Sequence, residues 1–183
     1  VTKRSASDGS TPHAQGGVAS AMGPGDSVAC HMADTLSTGQ GLSDPEVVHA
    51  VVRDGIQAVQ ELIRWGLRFD LVGKRLAFGL EGGHSRARIL HAGGDATGKA
   101  LEETLLGKAR ASRRITFREH TFTLDLLKDD SGAVRGVLAA APSGKLETLC
   151  ARAVILATGG AGQLYRETTN PDVVTGDGIA MAL

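Results

Sequence analysis

The chain has 183 residues, enough to bury a sizeable core, and its 20 basic and 20 acidic side chains cancel to a formal net charge of +0. That balance points away from nucleic acid and from anionic membrane surfaces as partners, and no 18-residue apolar run is present to span a bilayer. Glycine is frequent at 25 residues and aromatics are scarce at 3%, a composition that suits an α/β nucleotide-binding fold in which backbone approaches phosphate closely.

From the N-terminus, "VTKRSASDGSTPHAQGGVASAM" reads as the end of a strand and then a long polar loop. Gly16 and Gly17 lead into a small-residue segment suited to starting a helix. Asp26 or Ser27 is placed to cap a short helix to about Thr38, which Gly39 and Gly41 stop. "SDPEVVHAVVRDGIQAVQELIRWG" carries the clearest helix signal. Asp44 suits the N-cap, Pro45 and Glu46 the first turn, and Gly66 the left-handed C-terminal cap. Val48, Val51, Val52, Val59, Leu62 and Ile63 fall near one face of it.

Residues Leu67 to Arg88, with four glycines, read as irregular. A second helix is predicted from about Thr97 to Ala111, with Leu101, Leu105 and Ala109 on one side. "RITFRE" then reads as a short buried strand. "TFTLDLLKD", "AVRGVLAAA" and "KLETLCA" form a three-stranded antiparallel β-meander joined by the turns "DDSG" and "PSGK". "RAVILATGG" is an apolar run ending at two glycines, the pattern of a fully buried parallel strand. "TGDGIAMAL" places Asp177 just before a helix, where it suits the N-cap. No repeat or interdomain linker is visible. Cys30 and Cys150 lie far apart without CxxC spacing and read as reduced thiols of a cytoplasmic protein.

The chemistry concentrates in "LEGGHSRARILHAGGDATGKA", Leu80 to Ala100. His84 and His91 lack the further ligands a zinc site needs, so no metal is expected. "GGDATGK" lacks the GxxxxGK[ST] spacing of a phosphate loop. Arg86 and Arg88 suit either a carboxylate ligand or a salt bridge to Asp95 or Glu102. The dinucleotide signature GxGxxG is absent from the chain.

Three segments in order, "STPHAQGG", "EGGHSRARILHAGGDATGKALEETLL" and "ATGGAGQLYRETTNPDVVTGDGIAMA", resemble the succinate dehydrogenase/fumarate reductase flavoprotein family, and within it the L-aspartate oxidase branch. The resemblance runs almost from end to end. It implies an α/β, Rossmann-like FAD-binding domain over residues 1–183, partial because the first βα unit is missing, with the β-meander inserted. The family's capping domain and C-terminal helical domain would lie outside the chain.

The implied activity is flavin-dependent oxidation of L-aspartate to iminoaspartate, with oxygen or fumarate as oxidant. The product would feed quinolinate and NAD synthesis, with hand-off to quinolinate synthase. Two other readings stand beside it: a soluble fumarate reductase or succinate oxidase of the same family, and a non-catalytic, truncated FAD-binding module.

Carried over residue by residue, the resemblance puts Lys3 near the adenosine ribose. It puts Ser10, Thr11, Pro12, His13, Ala14, Gln15, Gly16 and Gly17 around the flavin end, where main-chain N–H groups are needed. Ser10 stands where membrane-bound relatives carry a histidine bonded covalently to FAD, so FAD is expected to be non-covalent, and His13 is out of register for that link. Phe122 and Thr123 match a position near the adenine, Thr158 and Gly159 one near the ADP moiety, and Asp177 an acidic FAD contact. Glu81 matches a glutamate facing the substrate ammonium, and His84 is a further candidate near the substrate. Leu80 departs from the arginine the family often has before this glutamate, which alters the charge expected there.

Overall fold

The computed structural model describes residues 1–183. They form two compact units, one of residues 11–108 and one of residues 1–10 with 109–183. Two boundaries separate them, the first directly after the serine-rich stretch of residues 5–10. That one lies beside a short 3₁₀ turn, Thr11–His13, and the other inside a helix.

In the unit of residues 11–108, helix α1 spans Val28–Thr38 and helix α2 spans Pro45–Trp65. Ser27, not Asp26, caps α1, its hydroxyl accepting from the Cys30 N–H at 3.1 Å. Asp44 caps α2 through the Glu46 and Val47 N–H groups, and Gly66 ends it in the left-handed conformation, as predicted. Val48, Val52 and Val59 of α2 are buried. Val51, expected on the same face, is 65% exposed. The apolar stripe is therefore narrower than the residue pattern implied.

The segment after Gly17 is strand β1, Val18–Ala19, and not the start of a helix. It pairs antiparallel with β4, Ile89–Leu90. Gly17 explains the difference. A Cβ there would lie 2.3 Å from Ile89 Cγ2 and 2.7 Å from the Leu90 carbonyl, so only glycine lets the two segments meet. Between α2 and β4, a two-residue hairpin pairs β2, Leu71–Val72, with β3, Arg75–Leu76, within the stretch that read as irregular. The core of this unit gathers Val59, Leu67, Phe69, Leu90 and Ala92.

Helix α3 spans Thr97–Ala111, the predicted bounds. In the other unit, strands β5, Phe122–Lys128, β6, Val134–Ala140, and β7, Leu146–Cys150, form the predicted meander in the order β5-β6-β7. Its two turns close through Asp129 N–H to Ala133 and Ala141 N–H to Lys145 carbonyls. Val137 and Ala139 of β6 are buried, and helix α4, Asp177–Ala182, lies against β5.

Three predicted strand segments are absent, the first being the strand end read at the N-terminus, where residues 1–10 are coil, bend and turn. "RITFRE" is turn and coil, with Ile115 half exposed and its N–H bonded back to the Ser112 carbonyl. "RAVILATGG" carries no ladder, and Ile155 is 89% exposed. A strand needs hydrogen-bonded neighbours, and no strand of residues 1–183 runs beside this one. All observed sheets are antiparallel.

Candidate functional site

The Leu80–Ala100 stretch is built around β4. Leu90 and Ala92 are fully buried, so the side chain between them, His91, turns the other way. Its Nε2 lies 2.9 Å from Glu81 Oε1. Glu81 pairs with no lysine or arginine, and its side chain is 47% exposed. The glutamate singled out by the resemblance thus sits in an accessible loop with one carboxylate oxygen held by an imidazole.

The phosphate-cradle alternative fails on a direct observation. The Gly93 and Gly94 N–H groups both donate to the Asp70 carboxylate, at 2.9 and 3.0 Å, so the glycine-rich turn already holds an anion of this chain. No group of three or more His, Cys, Asp or Glu side chains is arranged to hold a metal.

The His84 side chain does not join the Glu81 carboxylate, although its backbone N–H donates to the Glu81 carbonyl at 3.3 Å. Its Nδ1 lies 3.1 Å from an Arg88 guanidinium nitrogen, and its ring is 5.7 Å from that of His31. Arg88 is wholly buried and pairs with neither Asp95 nor Glu102. It makes a two-pronged ion pair with Asp26, both bonds 2.8 Å, and a third contact to Asp34 at 2.5 Å. Asp34 also accepts from the Ser85 N–H and hydroxyl, each at 2.9 Å. The Ser85 N–H and then Arg88 hold Asp34 down at about 2. The Arg88 bond, working against burial, holds Asp26 below the ordinary carboxylate range. This network fastens Ser85, just after the Glu81 loop, to helix α1 and the residue before its cap.

His31, buried on α1 with Nδ1 unpartnered, faces the same cluster. Burial first, then the charges of Arg88 and His84, lower its pKa against the opposing pull of Asp26 and Asp34. The sign of the pH effect follows. A histidine that titrates lower in the folded state stabilises fully above about 6.5, and that contribution is lost as pH falls below this value. The melting temperature of the full-length protein should therefore drop between pH 7.5 and 5.5 by more than that of its His31→Phe variant. Equal drops would remove His31 from the account.

The flavin-loop candidates divide between the units. In the unit of residues 11–108, Thr11–Ala14 is seated on the start of α3. The Gly98 N–H donates to the Ala14 carbonyl at 3.0 Å, and a Cβ on Gly98 would lie 1.9 Å from the Thr11 carbonyl oxygen. Pro12, His13 and Gln15 lie in this turn, and no atom comes within 4 Å of where a Cβ of Gly16 would be. A fixed turn followed by open main chain fits a loop that offers N–H groups to a cofactor edge. Gly17 is required by packing, as above.

In the unit of residues 1–10 and 109–183, Ser10 makes one long contact, 3.5 Å, to Asn170. Lys3 lies 172 and 174 residues from Thr175 and Asp177 in sequence, yet its ammonium binds both the Thr175 hydroxyl and Asp177 Oδ2, the latter at 2.5 Å. Asp177 Oδ1 accepts from Thr175 at 2.7 Å. Burial raises the Asp177 pKa, but Lys3 and Thr175 outweigh it and hold it below the ordinary value. Asp177 is the first helical residue of α4 and not its N-cap, which is Gly176. Thr158 packs under α4, where a Cβ on Gly178 would lie 2.0 Å from its hydroxyl. Thr158 and Gly159 line an open groove of about 460 Å³ together with Leu156, Ile179 and Leu183, a volume within the range of small-molecule sites.

Phe122 and Thr123 begin β5, opposite Ala140 and Ala139. They follow Thr121, whose N–H donates to the Thr2 carbonyl and so brings the Lys3 segment alongside. Glu119, which no sequence signal marked, anchors that segment through the Ala6 N–H at 2.7 Å.

These features describe an α/β chain with an open groove beside Thr158 and Gly159 and a charged loop around Glu81. Residues 1–183 match the family described as "FAD binding domain" over their whole length, and the chain belongs to that family. Among curated proteins it is 43% identical to an L-aspartate oxidase of Synechocystis sp., over 100% of this chain and 33% of the relative, and 46% identical to one of Streptomyces coelicolor, over 100% and 32%. Among solved structures it is similar to an E. coli quinol fumarate reductase variant, with TM-score 0.89 and 35% identity, covering 94% of this chain and 29% of the other. The chain therefore spans about a third of the length of these relatives. No helix is long and apolar enough to cross a membrane.

Proposed function

We propose that the chain is part of a cytoplasmic, flavin-dependent enzyme that oxidises L-aspartate to iminoaspartate. Oxygen or fumarate is the oxidant, and the product feeds quinolinate and NAD synthesis with hand-off to quinolinate synthase. Residues 1–183 are part of a Rossmann-like FAD-binding domain. On this reading the family's first βα unit, capping domain and C-terminal helical domain lie outside residues 1–183, which span about a third of the relatives' length.

The observation that carries this reading is the half-exposed Glu81 carboxylate, held by an imidazole and unpaired with any lysine or arginine. A carboxylate at a dicarboxylate site selects for a substrate that brings an ammonium, and against succinate. Bound FAD supplies the acceptor for the hydride leaving the α-carbon. On this reading the Thr11–Gly17 turn offers main-chain N–H groups to the flavin end, Thr158 and Gly159, which line the open groove, serve the ADP moiety, Lys3, Phe122 and Thr123 serve the adenosine side, and Asp177 is an acidic FAD contact. His84, tied to Arg88, shapes the loop and is assigned no contact with substrate.

Full-length enzyme should release iminoaspartate from L-aspartate, with peroxide in air or succinate when fumarate is supplied. Turnover of succinate and fumarate alone would assign the chain to the fumarate reductase reading. The flavin should be non-covalent, because Ser10 cannot form an imidazole link. Acid precipitation should leave flavin fluorescence in the supernatant, and fluorescence in the pellet would contradict this.

A further inference from the structure

His91 has no role in the reading above, yet its backbone and ring are both held in place. Its neighbours in sequence, Leu90 and Ala92, are fully buried. Its carbonyl accepts the Asp70 N–H at 2.8 Å, and the carboxylate of that same Asp70 holds the Gly93 and Gly94 N–H groups. The backbone on either side of His91 is therefore fixed. The ring itself fits among side-chain-free positions. A Cβ on Gly17 would lie 3.1 Å from His91 Nε2, and one on Gly79 would lie 3.4 Å from His91 Cε1. From this seat Nε2 meets Glu81 Oε1 at 2.9 Å.

We propose that His91 is a positioning residue for substrate recognition: it fixes Glu81 through one carboxylate oxygen and leaves the other to take the ammonium of an amino-acid substrate. The inference rests on the proposed role of Glu81. An imidazole N–H suits the task chemically. It orients a carboxylate without cancelling its charge, whereas a lysine or arginine at the same place would neutralise the anion that the substrate ammonium needs. The gain is pre-organisation, because a glutamate in an exposed loop otherwise loses rotamer freedom when substrate binds.

The test compares five full-length enzymes: wild type, Glu81→Gln, His91→Leu, the double variant, and His91→Gln as a conservative replacement. Flavin content is measured first. His91→Leu should raise KM for L-aspartate about tenfold, the order expected for one charge-assisted hydrogen bond, with kcat changed less than about threefold. Fumarate reduction should fall less than about threefold. His91→Gln, which keeps an N–H donor, should recover most of the KM. In the double variant, His91→Leu should add little to Glu81→Gln, since the two act through one bond. Additive losses, or equal losses in aspartate oxidation and fumarate reduction, overturn the proposal while leaving Glu81 as the substrate-reading residue. If Glu81→Gln itself leaves aspartate kinetics untouched, the reading of Glu81 fails and the proposal falls with it.

Discussion

Glu81→Gln in the full-length enzyme is expected to cut kcat/KM for L-aspartate by roughly thirtyfold to a thousandfold while fumarate reduction falls far less. An ammonium and a carboxylate in a partly dry pocket form a charge-assisted hydrogen bond. Removing one member of such a pair costs about 2–4 kcal/mol when the other is left desolvated, and each 1.36 kcal/mol is about tenfold. Glutamine keeps the length and one acceptor oxygen, so the change isolates the charge. Fumarate brings no ammonium and loses nothing at this position. The anion has also left a site meant for two carboxylates, so succinate should bind no worse and even more tightly. Both activities are to be measured on one preparation with flavin content checked. Equal losses would mean that Glu81 supports the fold or the cofactor and does not read the substrate.

Much of this was legible in the sequence, and the residues show why. Helix α2 announces itself through Asp44, Pro45, Glu46 and Gly66, because caps are local chemistry and need no partner from elsewhere. The meander is equally local, with turn residues between alternating strands. Three features were not legible. "RAVILATGG" reads as a buried strand because an apolar run carries no record of whether neighbours exist to pair with it. Gly17 resembles any loop glycine until β4 arrives beside it from 70 residues on. The pairing of Arg88 with Asp26 and Asp34 spans 62 and 54 residues, so sequence proximity suggested the wrong acids. Within the site, the resemblance supplied Glu81, but the bond that holds it came only from the folded chain.

Arg88→Met should be the most destabilising single change in residues 11–108. The guanidinium has no exposure to solvent, and neither has the Asp26 side chain. Methionine fills similar volume but leaves Asp26 as a buried carboxylate without its counter-ion, a loss of about 3–5 kcal/mol. For a unit of this size, where each kcal/mol is worth about 4 °C, that corresponds to a fall in melting temperature of roughly 12–20 °C. The Ser85 contacts to Asp34 do not compensate, because they satisfy a different carboxylate. Acid sensitivity should change as well. In the wild type both aspartates titrate below the ordinary value of 3.8, Asp34 at about 2, so their contribution is full above about 4 and is lost as pH falls toward 2. Without Arg88, Asp26 keeps its burial and loses its partner, so it titrates higher and the acid limb of stability moves up in pH. Adding Asp26→Asn to Arg88→Met removes the stranded charge and should recover a good part of the lost melting temperature. Thermal melts of the three full-length proteins between pH 3 and 7 check this. A shift of less than about 2 °C for Arg88→Met, or no recovery in the double variant, would mean that the buried pair is not what fastens the Ser85 segment to α1.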